Sequence, residues 1–181
     1  PNESLEELNR CLADGFAGMG EVYAQVKISD PLYYPLIEKC IRERAIILMH
    51  SRADTGLLRP GLKASVPLTT SIPEDFVAAA RRYPEAILIY AHIGGGGDWE
   101  YACKVLRSAP SVLADTSGSV TDEGMIDFAV RCLGVDRLLF ATDTNFETGV
   151  GKILSANLDE PARRKIFWDN FNNILRRRGL H

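Results

Sequence analysis

Three side chains able to bind a divalent metal or move a proton stand at the ends of apolar runs. His50 closes AIILMH, His92 closes ILIYAH and Asp143 closes LLFATD. Short, continuous runs of this kind read as strands buried on both faces. If such strands are parallel, their carboxyl ends share one edge, and barrels and open α/β sheets both build their sites there. Two neutral imidazoles and a carboxylate converging on that edge suit zinc or a similar first-row divalent ion. One histidine at such a position is more often a core residue bonded to a backbone carbonyl. Three polar residues at equivalent positions make His50, His92 and Asp143 candidate ligands.

Around this trio lie the candidate substrate contacts. Behind His92, Ile-Gly-Gly-Gly-Gly-Asp-Trp feeds the start of a helix, so Gly94 and Gly95 either cradle an anion or let backbone approach a pocket closely. The spacing is neither GxGxxG nor a P-loop. The segment from Ser51 to Thr70 is long and rich in turn residues, as a lid or substrate clamp would be. Its Arg52 and Arg59 either grip a substrate carboxylate bidentately or are solvated surface charges. Lys27 is either a site cation or an edge residue. Asp115, opening Asp-Thr-Ser-Gly, falls on the same strand-end edge and lines the pocket or supports its ligands.

The elements that must position these residues alternate in type. Leu5–Ala13 reads as a helix and Glu21–Ile28 as a first strand; Leu32–Arg44 and Ala45–Met49 read as a helix and a second strand. Ser71-Ile-Pro-Glu carries a cap residue ahead of a helix that Pro84 stops, before a third strand at Ile87–Ala91. Asp98 caps Trp99–Arg107, Ser111–Ala114 is a fourth strand, and Asp122 caps a helix to Leu133. Asp136–Thr142 is a fifth strand, followed by a loop and a helical region from Asp159 to about Arg178, broken near Asp169. Strands separated by helices mean right-handed βαβ units, an α/β class and a parallel sheet. Two architectures fit, a five-stranded doubly wound sheet or part of an eight-stranded barrel, and length alone favours the first.

Composition narrows the function classes. The 181 residues are 46% hydrophobic and 25% charged with a net charge of -3, which fits one ordinary globular domain over 1–181. No basic excess marks a nucleic-acid binder, and the Arg176–Arg178 run also suits the end of a helix. No apolar run reaches the roughly 18 residues that span a membrane, and no signal peptide opens the chain, so a cytoplasmic protein is expected. Cys11, Cys40, Cys103 and Cys132 lack CxxC spacing and read as reduced thiols.

At these same residues the sequence resembles the amidohydrolase superfamily, in the metal-dependent hydrolase branch that includes aminocarboxymuconate-semialdehyde decarboxylase and related aromatic-acid decarboxylases. The resemblance rests on strand-end His50, AHIGGGGDWEYA around His92, DTSG at 115–118, FATD at 140–143 and the closing EPARRKIFWDNFNNIL. It implies the last five βα units of a TIM-barrel-like (β/α) fold and a divalent metal, usually zinc. It makes His50 the fifth-strand ligand and Asp143 the eighth-strand ligand. His92 becomes the sixth-strand histidine that orients or protonates substrate or ligates a second metal. The family's HxH pair and first three strands have no counterpart here. Closure of the sheet is expected from an upstream segment or from another copy in a homo-oligomer.

In the chemistry this implies, metal activates water, Asp143 takes its proton, and His92 stabilises an oxyanion or protonates the leaving group or a carbanion. Hydrolysis of an amide or lactone and loss of CO2 from a small carboxylated substrate both fit. The competing expectations are a non-catalytic barrel remnant acting as a binding subunit, and an anion-binding doubly wound domain using the Gly94–Gly97 loop.

Overall fold

Alternate residues of the strands face two different layers, and this decides the architecture. The computed structural model describes residues 2–23, 26–53, 70–95 and 97–179. Five parallel strands, β1 (Gly18–Val22), β2 (Ile46–Met49), β3 (Ile87–Tyr90), β4 (Leu113–Asp115) and β5 (Leu138–Leu139), pair in sequential order. Ile47, Met49, Leu88, Tyr90, Ala114 and Leu138 enter the large core, with Ile37, Phe76, Cys103, Leu106 and Ala129 of the connecting helices. Their neighbours Ile46, Ile89 and Leu139 form a second, smaller cluster with Ile174.

Those connecting helices are α1 (Asn2–Ala13), α2 (Tyr34–Arg42), α3 (Pro73–Arg82), α4 (Trp99–Leu106) and α5 (Met125–Leu133). After β5 come α6 (Phe146–Ser155), α7 (Glu160–Arg164), a π-helical turn (Lys165–Asp169) and α8 (Asn170–Arg178), which carries Ile174. A doubly wound sheet reverses its strand order and places helices on both faces. Sequential order with the crossover helices in one layer is instead the geometry of a curved barrel wall. The doubly wound alternative is therefore corrected to a partial (β/α) barrel.

Local chemistry explains most element ends. Asp98 and Asp159 cap α4 and α7 by accepting from Tyr101 N and Ala162 N, as expected. Three expectations fail. Ser71 does not cap α3; its hydroxyl accepts from Ile28 N, while Asp75 accepts from Ile72 N. Gly124 is the N-cap of α5, and Asp122 instead accepts a hydrogen bond from the Trp99 indole N–H. The first strand ends at Val22 rather than starting at Glu21, which moves Glu21 to a strand carboxyl end.

No helix among the described residues is long and apolar enough to cross a membrane.

Candidate metal centre

Glu21, the penultimate residue of β1, and His50 and His92, which follow β2 and β3, stand at the same edge of the sheet, and one ligand atom from each lies within 4.8 Å of the others. Register brings them together: Met49 pairs with Tyr90, and His50 N donates to Val22 O, so the residues around these strand ends are neighbours. Glu21 Oε1 lies 2.6 Å from His50 Nδ1 and 2.7 Å from His92 Nε2. Burial pushes the Glu21 carboxyl up, but the hydrogen bonds and charges of His92 and His50 overcome this and hold it below the usual 4.5.

The other side of His92 fixes its tautomer. Asp115 Oδ1 accepts three bonds, from His92 N at 3.0 Å, Ser117 N at 2.9 Å and Ser117 Oγ at 2.6 Å. The Ser117 proton is thus committed to Asp115, and Ser117 Oγ, 2.6 Å from His92 Nδ1, must accept there. This network assigns the imidazole proton to Nδ1 and turns the Nε2 lone pair toward Glu21 Oε1. A lone pair and a carboxylate oxygen at 2.7 Å repel unless a positive charge lies between them. A divalent cation held by both would supply that charge. Two imidazoles and a carboxylate, one imidazole held through its far nitrogen, fit such an ion.

Backbone conformation also marks this place, although Arg44, away from the site, has a left-handed φ as well. His92 and Asp143 have φ of 65° and 46°, left-handed values that cost non-glycine residues energy and gather at functional sites. His92 is 6% exposed, whereas Tyr23, 68% exposed, sets its ring 4.5 Å from that of His50.

Of the residues expected from sequence, His50 and His92 share the cluster. Asp143 stands outside it: its Oδ2 faces His92 Nδ1 at 3.7 Å, on the nitrogen away from Glu21, with 45% of the side chain exposed. Asp115 is buried and spends Oδ1 on three donors, so its place is behind His92. The amides of Gly94 and Gly95 bond Ser117 O and His92 O. That leaves close approach, not an anion cradle, as the role of these two glycines. A Cβ on Gly94 would meet Ser117 O at 2.9 Å and Lys152 Nζ at 3.0 Å. Lys27 is paired with Asp75 at 3.3 Å, on the first turn of α3. Arg52 is half-buried just beyond His50, its amide bonded to Ser71 O. Arg59 and most of the expected lid lie outside the described residues.

Sequence reasoning missed Glu21 and Lys152. Glu21 was assigned to the wrong end of its strand, and Lys152 to a loop that is in fact α6. The pattern of the Amidohydrolase family matches residues 1–176. The chain belongs to that family. This amidohydrolase is similar in fold to 2,6-dihydroxybenzoate decarboxylase from Rhizobium, with a TM-score of 0.70 at 19% identity over 97% of this chain and 68% of that one. It is similar to dihydroxybenzoic acid decarboxylase from Polaromonas sp. JS666, solved with bound manganese and the inhibitor 2-nitroresorcinol (TM-score 0.64, 16% identity, 95% and 64%). The 4-oxalomesaconate hydratase of Rhodopseudomonas palustris gives 0.61 at 18% identity, over 96% and 60%. No curated protein matches it. The amidohydrolase chain thus spans 60% to 68% of the length of these three structures, and its five units form the corresponding part of their barrel.

Proposed function

We propose that the chain binds one divalent cation at Glu21, His50 and His92 and serves the non-oxidative decarboxylation of a small hydroxylated aromatic carboxylate. The observation that carries this reading is the single carboxylate oxygen shared by two imidazole nitrogens at 2.6 and 2.7 Å. Likeness to two hydroxybenzoate decarboxylases supports the reaction class, and the manganese of the Polaromonas protein makes manganese a candidate beside zinc.

When bound, the cation supplies a Lewis-acid charge that polarises a substrate oxygen. Ser117 and Asp115 hold His92 to its ligand role through Nδ1. Asp143, next to His92 and partly exposed, carries the proton. The bond between ring carbon and carboxyl breaks, the electron pair stays on the ring, CO2 leaves, and a proton taken up from solvent passes through Asp143 to that carbon, leaving Asp143 a carboxylate again. Tyr23 offers an exposed aromatic face for the ring, and Arg52 with Arg59 a partner for the carboxylate. The second reading, hydrolysis of an amide or lactone, uses Asp143 as the base that takes a proton from water, and the hydratase among the fold relatives favours keeping it. The proposal places the protein in the cytoplasm, its barrel closed by a further segment of the protein or by a second copy.

The test supplies Mn2+-loaded protein with 2,6-dihydroxybenzoate and related hydroxybenzoates, and with a panel of amides and lactones. Mn2+-dependent CO2 release is expected, falling about 10²- to 10⁴-fold in Asp143→Asn. Hydrolysis without CO2 release would replace the reading with the second one. Inertness toward both panels would leave a binding subunit.

A further inference from the structure

Lys152 lies on the face of α6 that packs toward the sheet. Gly149, one turn earlier, fits where a Cβ would crowd Thr142, so α6 sits close against the end of β5 and its next inward residue is buried. Lys152 is 7% exposed. Taking an ammonium out of water is costly, and an apolar side chain of the same length would fill the space at no such cost. Among the described residues no carboxylate lies within ion-pair distance of its Nζ. It donates instead to Gly118 O and to Thr116 O, the latter at 3.4 Å.

Those two carbonyls flank Ser117. The segment they belong to is pressed against the histidine loop: Gly118, at φ 95°, has no room for a Cβ against Gly94, and Gly94 N donates to Ser117 O at 3.0 Å. A charge is therefore placed under the strand-end loop that presents the Ser117 hydroxyl to His92 Nδ1. Burial lowers the amine's pKa, while the charges of Asp115 and Asp143 act to keep it an ammonium.

We propose that Lys152 is a positioning residue of the centre: by holding the carbonyls of Thr116 and Gly118 it fixes the Ser117 hydroxyl that receives the Nδ1 proton of His92, and so keeps Nε2 turned to the cation. The proposal rests on the reading of Glu21, His50 and His92 as a cation site.

A cavity of about 500 Å³ lined by Lys152, Gly151, Thr148 and the first turn of α5 lies beside this side chain. Three forms of the full chain are compared: wild type, Lys152→Met, which keeps length and loses charge, and Lys152→Ala. In metal-free protein labelled with 15N-histidine, wild-type His92 is expected to show a protonated Nδ1, and Lys152→Met to lose that fixed pattern while its circular dichroism is unchanged. Mn2+ affinity is expected to fall about 10- to 100-fold in both variants. In Lys152→Ala, butylammonium should restore it and butanol should not. A folded Lys152→Met with wild-type nitrogen shifts and wild-type Mn2+ affinity would overturn the proposal, as would equal rescue by butanol, which would reduce Lys152 to packing. If wild type binds no Mn2+, the cation site itself fails, and the nitrogen shifts alone then decide whether Lys152 orients His92.

Discussion

The Nδ1 proton of His92 decides what the centre can hold, because it leaves Nε2 as a lone pair facing Glu21. Ser117→Ala removes the acceptor of that proton without touching a ligand. Divalent affinity should drop about 10- to 100-fold by calorimetric titration, with little loss of thermal stability. Glu21 makes a complementary prediction in the metal-free protein. Its carboxyl is held below 4.5 in the fold, so its stabilising contribution is complete above the unfolded value and is lost as pH falls through the lowered folded one. Melting temperatures measured from about pH 5 down to about pH 3 should decline more steeply for wild type than for Glu21→Gln. Cys103 is fully buried, and burial pushes its thiol up to about 12. It should resist iodoacetamide near neutral pH until denaturant is added. His50 and His92 were legible as members of this cluster because apolar runs announced the strands they follow. Glu21 was not, since its signal depends on where β1 stops.

Between the elements, glycines set the distances. Gly18 and Gly20 lie where a Cβ would collide with Ile46 and Leu48, so β1 can approach β2 only through residues that propensity counts as breakers. That is why the alternation in EVYAQVKI was mistaken for the strand while GMGEV was passed over. The same cause hid α6, whose FETGVGKILS sequence holds two poor helix formers; Gly149 is there for contact with Thr142. The long apolar runs of β2 and β3 needed no such compromise and were read within a residue of their ends. Gly118→Ala tests the idea directly. A left-handed φ of 95° and a backbone collision with Gly94 should together cost about 2–4 kcal/mol in chemical denaturation, and metal affinity should fall with it because Ser117 moves.

Over the whole molecule, sequential strand order bends the sheet into a barrel wall whose inner residues Ile46, Ile89 and Leu139 meet Ile174 of α8. The α/β class was legible from the alternation of elements, whereas the partial barrel was legible only through the family resemblance. Length argued for the wrong alternative because it cannot distinguish five units of a wall from a closed open-sheet domain. β1 and β5 form the two margins of the described sheet, and exposed parallel margins invite pairing. Analytical ultracentrifugation should therefore show concentration-dependent association of the 181-residue chain; a strictly monomeric chain at all concentrations would count against closure by a second copy. The claim on which the account depends most is that Glu21, rather than Asp143, joins the two histidines in holding the ion. Elemental analysis of the purified wild type, Glu21→Gln and Asp143→Asn tests it. The account predicts one divalent ion per chain in wild type and in Asp143→Asn and none in Glu21→Gln. An ion retained by Glu21→Gln and lost from Asp143→Asn, or a wild type that keeps none, would contradict it.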